Sequence, residues 1–338
     1  MPDIRLKSTV PVRKFMILTI VAALIGGALA ILLSMIFLPV AAAALALLYL
    51  YEPGGRRIAF YTVGGALVVG SIPLGLRSVF VAVALCIVAF LIAASYAGRW
   101  IKYVTVFYTT FLLGITAGAV LYFAGAAVAG EYSLGAVMEA YHTQFRGAVE
   151  ETLPTYLARL QTMVNGTSAQ IPTLSEALEV FETYYTVAVQ LLISVLLVFG
   201  FLLSGIAFKC FAAVGRRLDA DPSFFDAWHF AIPSLYAWVY VILFAASIFM
   251  PVAGNSFFAI LSNLRLVFLT VFAYIGAKCL LLSLRASRVR ALPIILGVLL
   301  LLFVPYVAIQ LLSLQGAFVI IVGSRFHRRG GDGTDGEA

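Results

Sequence analysis

Carboxylates are missing from the interior of every long apolar stretch of this chain. All fifteen Asp and Glu fall in loops, in tails or at the ends of apolar runs, and Glu52 and Glu182 come nearest to the membrane. Proton-coupled pumps and many cation carriers hold an acid at mid-membrane, so this pattern argues against both. Charge of either sign is scarce. Charged residues make up 11% of the chain and hydrophobic ones 63%, against about 25% and about 45–50% in soluble domains. A soluble core is excluded.

Chemistry-bearing residues are equally sparse. The three histidines, His142, His229 and His327, lie outside the apolar runs and far apart. Cys86, Cys210 and Cys279 are isolated, with no CxxC pair, so neither a disulfide framework nor a zinc site is indicated. No HExxH, GxSxG, Walker A or glycine-rich nucleotide fingerprint occurs in a usable context. The chain therefore reads as a non-enzyme with no cofactor and no metal. ATP-driven work would need a separate subunit.

What is present is a series of apolar runs of 18 residues or more, the mark of a polytopic helical membrane protein. The runs do not alternate, which sets aside a β-barrel. Phe15 to Tyr51 is almost unbroken. At about 1.5 Å per residue it reaches about 55 Å, too far for one crossing of a roughly 30 Å core. Pro39 suits a break between a full first span and a short second one. The first run is too long for a signal peptide and reads as a retained span. Further spans are expected at 58–76, 78–97, 103–129, 183–208, 232–252, 265–284 and 291–311. The last run continues to Gly323, as one span plus an interfacial segment or as a hairpin.

The expected fold is all-α: a transmembrane bundle of about 8–10 spans, multi-pass in the plasma membrane. It divides into a cytoplasmic tail (1–14), an N-terminal transmembrane region of about five spans (15–129), an external helical loop (130–180), a C-terminal transmembrane region (181–323) and a polar, disordered tail (324–338). The net charge of +7 does not point to nucleic acid. Its basic residues cluster in short loops, where they orient the chain in the lipid bilayer. Arg5/Lys7/Arg13/Lys14, Arg56/Arg57, Arg99/Lys102, Lys209/Arg216/Arg217 and Arg285/Arg288/Arg290 share one side, the cytoplasmic one, if the short second span is real. Arg77 is an exception.

The long loop carries six Glu against two Arg and no Lys. Leu134, Met138, Tyr141, Phe145 and Val149 recur at helical spacing, so its first half reads as an amphipathic helix, either a cap on the bilayer or a lid over an external site. Thr173 to Glu176, "TLSE", fits a capping box that opens a helix leading into the next span. Asn165-Gly166-Thr167 matches a glycosylation sequon, a triplet common by chance.

Polar residues within the spans supply the candidate ligand-binding positions. Glu182, Thr186, Gln190 and Ser194 recur every four residues and share one helix face. Thr270, Tyr274 and Lys278 form a second such stripe on a span that also carries Arg265. Arg265 sits at the external boundary, where it can snorkel or pair with Glu182. Lys278 either snorkels inward or faces an interior cavity and holds an anionic group. Small residues mark packing faces: Ala22, Gly26 and Ala30 on the first span, Gly114 and Gly118 in "GITAG". These serve packing within the bundle or docking of another membrane subunit.

The layout of "FLPVAAAALALLYLYEPGGRR", "FFDAWHFAIPSLYAWVYVI", "NLRLVFLTVFAYIGAKCL" and "LLSLQGAFVIIVGSRFHRR" resembles the YybS-like family of bacterial membrane proteins of unknown function. One departure is the missing acid after the glycine of the last segment. The family's N-terminal region is similar to the six-span substrate-binding components of energy-coupling-factor transporters. That resemblance implies a coupling subunit as partner, docked on Ala22, Gly26 and Ala30, and a small solute as ligand. The alternative is a scaffold or regulator that binds no solute.

The charge pattern predicts topology. In a background without native cysteines, single cysteines at Ser133 and Thr173 should react with an impermeant reagent in intact cells, and one at Gly215 should not. The reverse pattern would invert the orientation.

Overall fold

A computed structural model describes residues 12–51, 57–96, 102–164, 172–215, 233–249, 256–286 and 304–331. Among the described residues there is no strand. These residues form ten α-helices: α1 (Val12–Leu32), α2 (Leu38–Tyr51), α3 (Ile58–Ser71), α4 (Leu76–Tyr96), α5 (Lys102–Ala129), α6 (Leu134–Val164), α7 (Leu174–Gly215), α8 (Ser234–Phe249), α9 (Ser256–Ala286) and α10 (Pro305–Gly331). Short 3-10 turns at Met35–Phe37 and Ile72–Leu74 precede α2 and α4. Among the described residues five stretches are long and apolar enough to cross a membrane: Arg13–Leu32, Leu76–Tyr96, Thr105–Ala129, Leu174–Val214 and Ala259–Leu281. The protein is an all-α membrane protein. In hydrocarbon a helix satisfies its own backbone, which an open strand cannot do.

The chain divides into two units, one of Met1–Val189 with Leu196–His229, the other of Gln190–Val195 with Phe230–Ala338. In the first unit α2 is buried along most of its surface, Val40 excepted: Leu38, Ala41, Ala42, Leu45 and Leu48 are fully covered. A helix apolar all round belongs in a core. The turn between α1 and α2 forms at Ser34, just ahead of Pro39. Its backbone is extended and its hydroxyl accepts from the Ile36 N–H at 3.3 Å. Pro39 then falls in the first turn of α2, where its missing N–H leaves no bond unmade.

The small residues of α1 are used inside this unit. Gly26 and Ala30 are buried while Ala22 is exposed. A Cβ on Gly26 would stand 3.2 Å from the Ala41 Cβ, and one on the adjacent Gly27 would strike Leu67 at 2.6 Å. Of the three positions expected to dock a partner, Gly26 thus packs on Ala41 of α2 and Ala30 is buried within the unit. What α1 leaves exposed near Ala22 is large: Leu18, Val21 and Ile25.

Gly114 does the same for α5. Its added Cβ would meet the Leu196 carbonyl oxygen at 3.0 Å, and a Cβ on Gly200 would lie 2.7 Å from the Gly114 nitrogen. One turn or so further, the buried hydroxyls of Thr109 and Ser204 bond at 2.7 Å. The crossing of α5 and α7 is a glycine contact closed by a hydroxyl pair.

The long loop contains one helix of 31 residues, α6, with Pro154 inside it. Its best-buried residue near α5 is Val137, while Leu134 and Phe145, expected on the covered face, are exposed. The reason is local. Val137 and Tyr141 fill the space over Gly125, where a Cβ would stand 2.6 Å from each, and the Tyr141 hydroxyl donates to the Leu121 carbonyl at 2.7 Å. The sequon at Asn165 lies outside the described residues. The Thr173–Glu176 capping box forms: the Thr173 N–H donates to the Glu176 carboxylate at 2.7 Å, and the Glu176 N–H to the Thr173 hydroxyl at 3.3 Å. From there α7 runs unbroken for 42 residues. That is about 63 Å, twice the roughly 30 Å hydrocarbon thickness, so α7 also builds structure outside it.

The second unit packs α8, α9 and α10 around Ala237, Tyr240, Phe272, Ala317 and Ile321. Rings of Tyr240 and Phe272 lie 5.0 Å apart, and the Tyr240 hydroxyl shares a 2.5 Å hydrogen bond with that of Ser313. Gly276 and Gly316 bring α9 and α10 together backbone to backbone: a Cβ on Gly316 would lie 2.8 Å from the Gly276 nitrogen. Gly323 does not end α10, which continues to Gly331 into the segment expected as a tail. The span expected at 291–311 lies mostly outside the described residues.

Replacing Gly316 by Ala should destabilise the protein by about 1–3 kcal/mol, the usual range for overpacking, because backbone has to move. Thermal unfolding in detergent measures it. Gly135→Ala is the control, since a Cβ there meets nothing within 4 Å.

Candidate functional site

Two polar clusters stand out in a chain with so few polar groups. The first joins α6 to α7 within the first unit. Glu182 is its centre: one carboxylate oxygen accepts from His142 Nε2 at 2.7 Å, the other from Arg146 Nη1 at 3.4 Å. Arg146 also donates through Nε to Glu150 at 2.9 Å. That bond, with the charges of Glu150 and Glu182, raises the guanidinium above its ordinary value. The Tyr185 hydroxyl donates to the Met138 carbonyl at 3.0 Å, and the Tyr185 ring lies edge-on to His142 at 4.8 Å. His142, Arg146 and Glu150 are spaced by four, and this was the available signal for the α6 face that meets Glu182. Nearly half of the Arg146 side chain and of Glu182 stays exposed, so solvent weakens these pairs and the cluster orients α6 more than it stabilises it.

The second cluster lies within the second unit, where Gln190 and Ser194 of α7 meet Asn263 of α9. Asn263 fills every hydrogen-bonding position of its amide. Nδ2 donates to the Gln190 carbonyl at 2.7 Å and to the Ala259 carbonyl at 2.8 Å. Oδ1 accepts from the Ser194 hydroxyl at 2.6 Å and from the Ser194 N–H at 3.3 Å. A reversed amide would set oxygen against two carbonyls, so chemistry fixes its orientation. Ser194 is 1% exposed. Asn263 thus grips both ends of one turn of α7.

That grip sets the rotation of α9. At about 100° per residue, Thr270 and Tyr274 share the Asn263 face, and Lys278 lies near it. Arg265, Phe268, Phe272 and Gly276 lie on the opposite side, with the aromatic core and the α10 contact. Asn263 belongs to the Thr270–Tyr274 stripe by its spacing of seven and eleven, a signal the sequence contained.

The expected site residues have these contacts within their own units. Gln190 and Ser194 come together with α9. Thr186 and Thr270 return their hydroxyls to their own helices, to the carbonyls of Glu182 at 2.9 Å and Leu266 at 3.0 Å. Glu182 takes His142 and Arg146, while the Arg265 guanidinium carbon lies 5.5 Å from the ring centre of Phe244. Among the described residues no group of three His, Cys, Asp or Glu is placed to hold a metal. No protein-family model, curated protein or solved structure matches the chain.

The Ser194–Asn263 contact should show as coupling. Ser194→Ala and Asn263→Ala, alone and together, should give an interaction energy of roughly 0.6–1.7 kcal/mol in unfolding measurements, the range for hydrogen bonds between membrane helices. Additive losses would mean that the two side chains do not meet.

Proposed function

We propose that this chain is a multi-pass protein of the plasma membrane that acts by binding, as the solute-binding component of a transport system. It takes a small solute from the outside and draws energy through a membrane coupling subunit. The observation that carries this reading is the polar face of α9. Thr270 and Tyr274 follow Asn263 down a helix long and apolar enough to cross a membrane, with Lys278 near the same face. Polar groups are costly in lipid, and a cation at that depth costs roughly 2.5–3.5 kcal/mol, so such a face belongs toward protein or water. An anionic group on the solute suits Lys278. The resemblance to transporter substrate-binding components agrees with this reading.

A second reading is a membrane scaffold or regulator with no solute. The closed hydrogen bonding of the Asn263 and Ser194 side chains favours it, because those groups are spent on each other and on the Gln190 backbone carbonyl, holding helices together. Either way, no step here calls for catalysis.

Affinity purification in mild detergent, with mass spectrometry of proteins and small molecules together, separates the two. The transport reading expects an anionic small molecule in the purified protein, lost in Lys278→Met at unchanged expression and melting temperature. A wild-type protein with no small molecule but a stoichiometric protein partner would favour the scaffold.

A further inference from the structure

Arg265 carries an unmet demand. It lies six residues inside the apolar stretch Ala259–Leu281. Its Nε is buried and has no hydrogen-bond partner among the described residues. The guanidinium carbon lies 5.5 Å from the centre of the Phe244 ring. A ring attracts the cation but accepts no N–H bond in the plane of the fork. The residue cannot turn to the hydroxyl and carbonyls that Asn263 uses. Asn263 is clasped to Gln190 and Ser194, and Arg265, two residues on, points about 200° away. Arg265 is held beside the Phe244 ring with a buried Nε donor that has no acceptor among the described residues.

A buried charged donor without an acceptor is among the costlier arrangements a protein can keep, and in an apolar helix the cost rises. A planar fork matches an oxyanion with two oxygens in reach. Depth narrows the choice. Arg265 stands toward one end of the apolar stretch Ala259–Leu281, from where a long side chain reaches the level of lipid phosphates. We propose that Arg265 is a phosphate-binding residue, and that the phosphate is that of a bound phospholipid seated beside Phe244. The inference concerns the aromatic face of α9, not the polar face assigned to a solute, and it stands whether or not the protein transports anything.

The test uses the full chain purified in a non-ionic detergent. Native mass spectrometry measures retention of added phosphatidylglycerol, with diacylglycerol, which lacks the phosphate, as the control lipid. The wild type should retain phosphatidylglycerol and not diacylglycerol. Arg265→Gln should weaken retention by about ten- to hundredfold, the equivalent of one charge-assisted hydrogen bond. Arg265→Lys keeps the charge and loses the fork, so it should fall between the two; it also serves if the Gln variant does not fold. Thermal melting of delipidated protein with inorganic phosphate separates the sources. Phosphate that raises the wild-type melting temperature but not that of Arg265→Lys, with no lipid retained, keeps the phosphate site and overturns its assignment to lipid. Equal retention by wild type and Arg265→Lys, or retention of both lipids alike, overturns the proposal.

Discussion

The side-chain amide of Asn263 is the constraint on which the second unit depends. Inside hydrocarbon a polar group has only the protein to bond with, and leaving one unpaired costs more than a well-made pair gains. Asn263 meets that demand completely, on Gln190, Ser194 and Ala259. Because the amide allows one orientation, it fixes which face of α9 meets the α7 segment. Everything else on α9 follows from that angle: the aromatic and glycine side goes to α8 and α10, and the polar side stays with Asn263.

Close approach of backbones does the corresponding work where no polar pair is available. Gly26 on Ala41, Gly114 with Gly200, and Gly276 with Gly316 let helices approach closely, and at the last two pairs a Cβ would overlap neighbouring backbone. Lipid offers apolar groups as good an environment as the protein interior, so burial alone does not drive helices together there. Tight packing and a few hydrogen bonds supply the difference. Thr109 with Ser204 and Tyr240 with Ser313 add those bonds beside two of the three glycine contacts.

Where side chains stay half exposed the logic changes. Glu182 gathers His142 and Arg146 with nearly half of its own surface uncovered, and there charges contribute orientation more than stability. Tyr141 and Tyr185 complement them with hydrogen bonds to backbone carbonyls of neighbouring helices. The α6 helix is thereby fixed to α5 and α7 by its first turns, while large apolar side chains further along, such as Tyr156 and Met163, remain exposed.

Much of this was legible in the residues themselves. Helix content, the apolar runs, the break before α2 and the Thr173–Glu176 cap depend on near neighbours in the chain, and near neighbours are what a sequence displays. The polar stripes were legible as stripes, because helical spacing fixes a face. Their partners were not. Nothing in the spacing of Glu182 distinguishes Arg265 from His142 and Arg146, and nothing in "NLRLVF" says that Asn263 grips a turn of α7 some seventy residues earlier. Ala22, Gly26 and Ala30 form a regular stripe whether α2 or another subunit covers them. A helix's own periodicity determines which residues look the same way; what they look at is decided only when a second helix, distant in sequence, is packed against it.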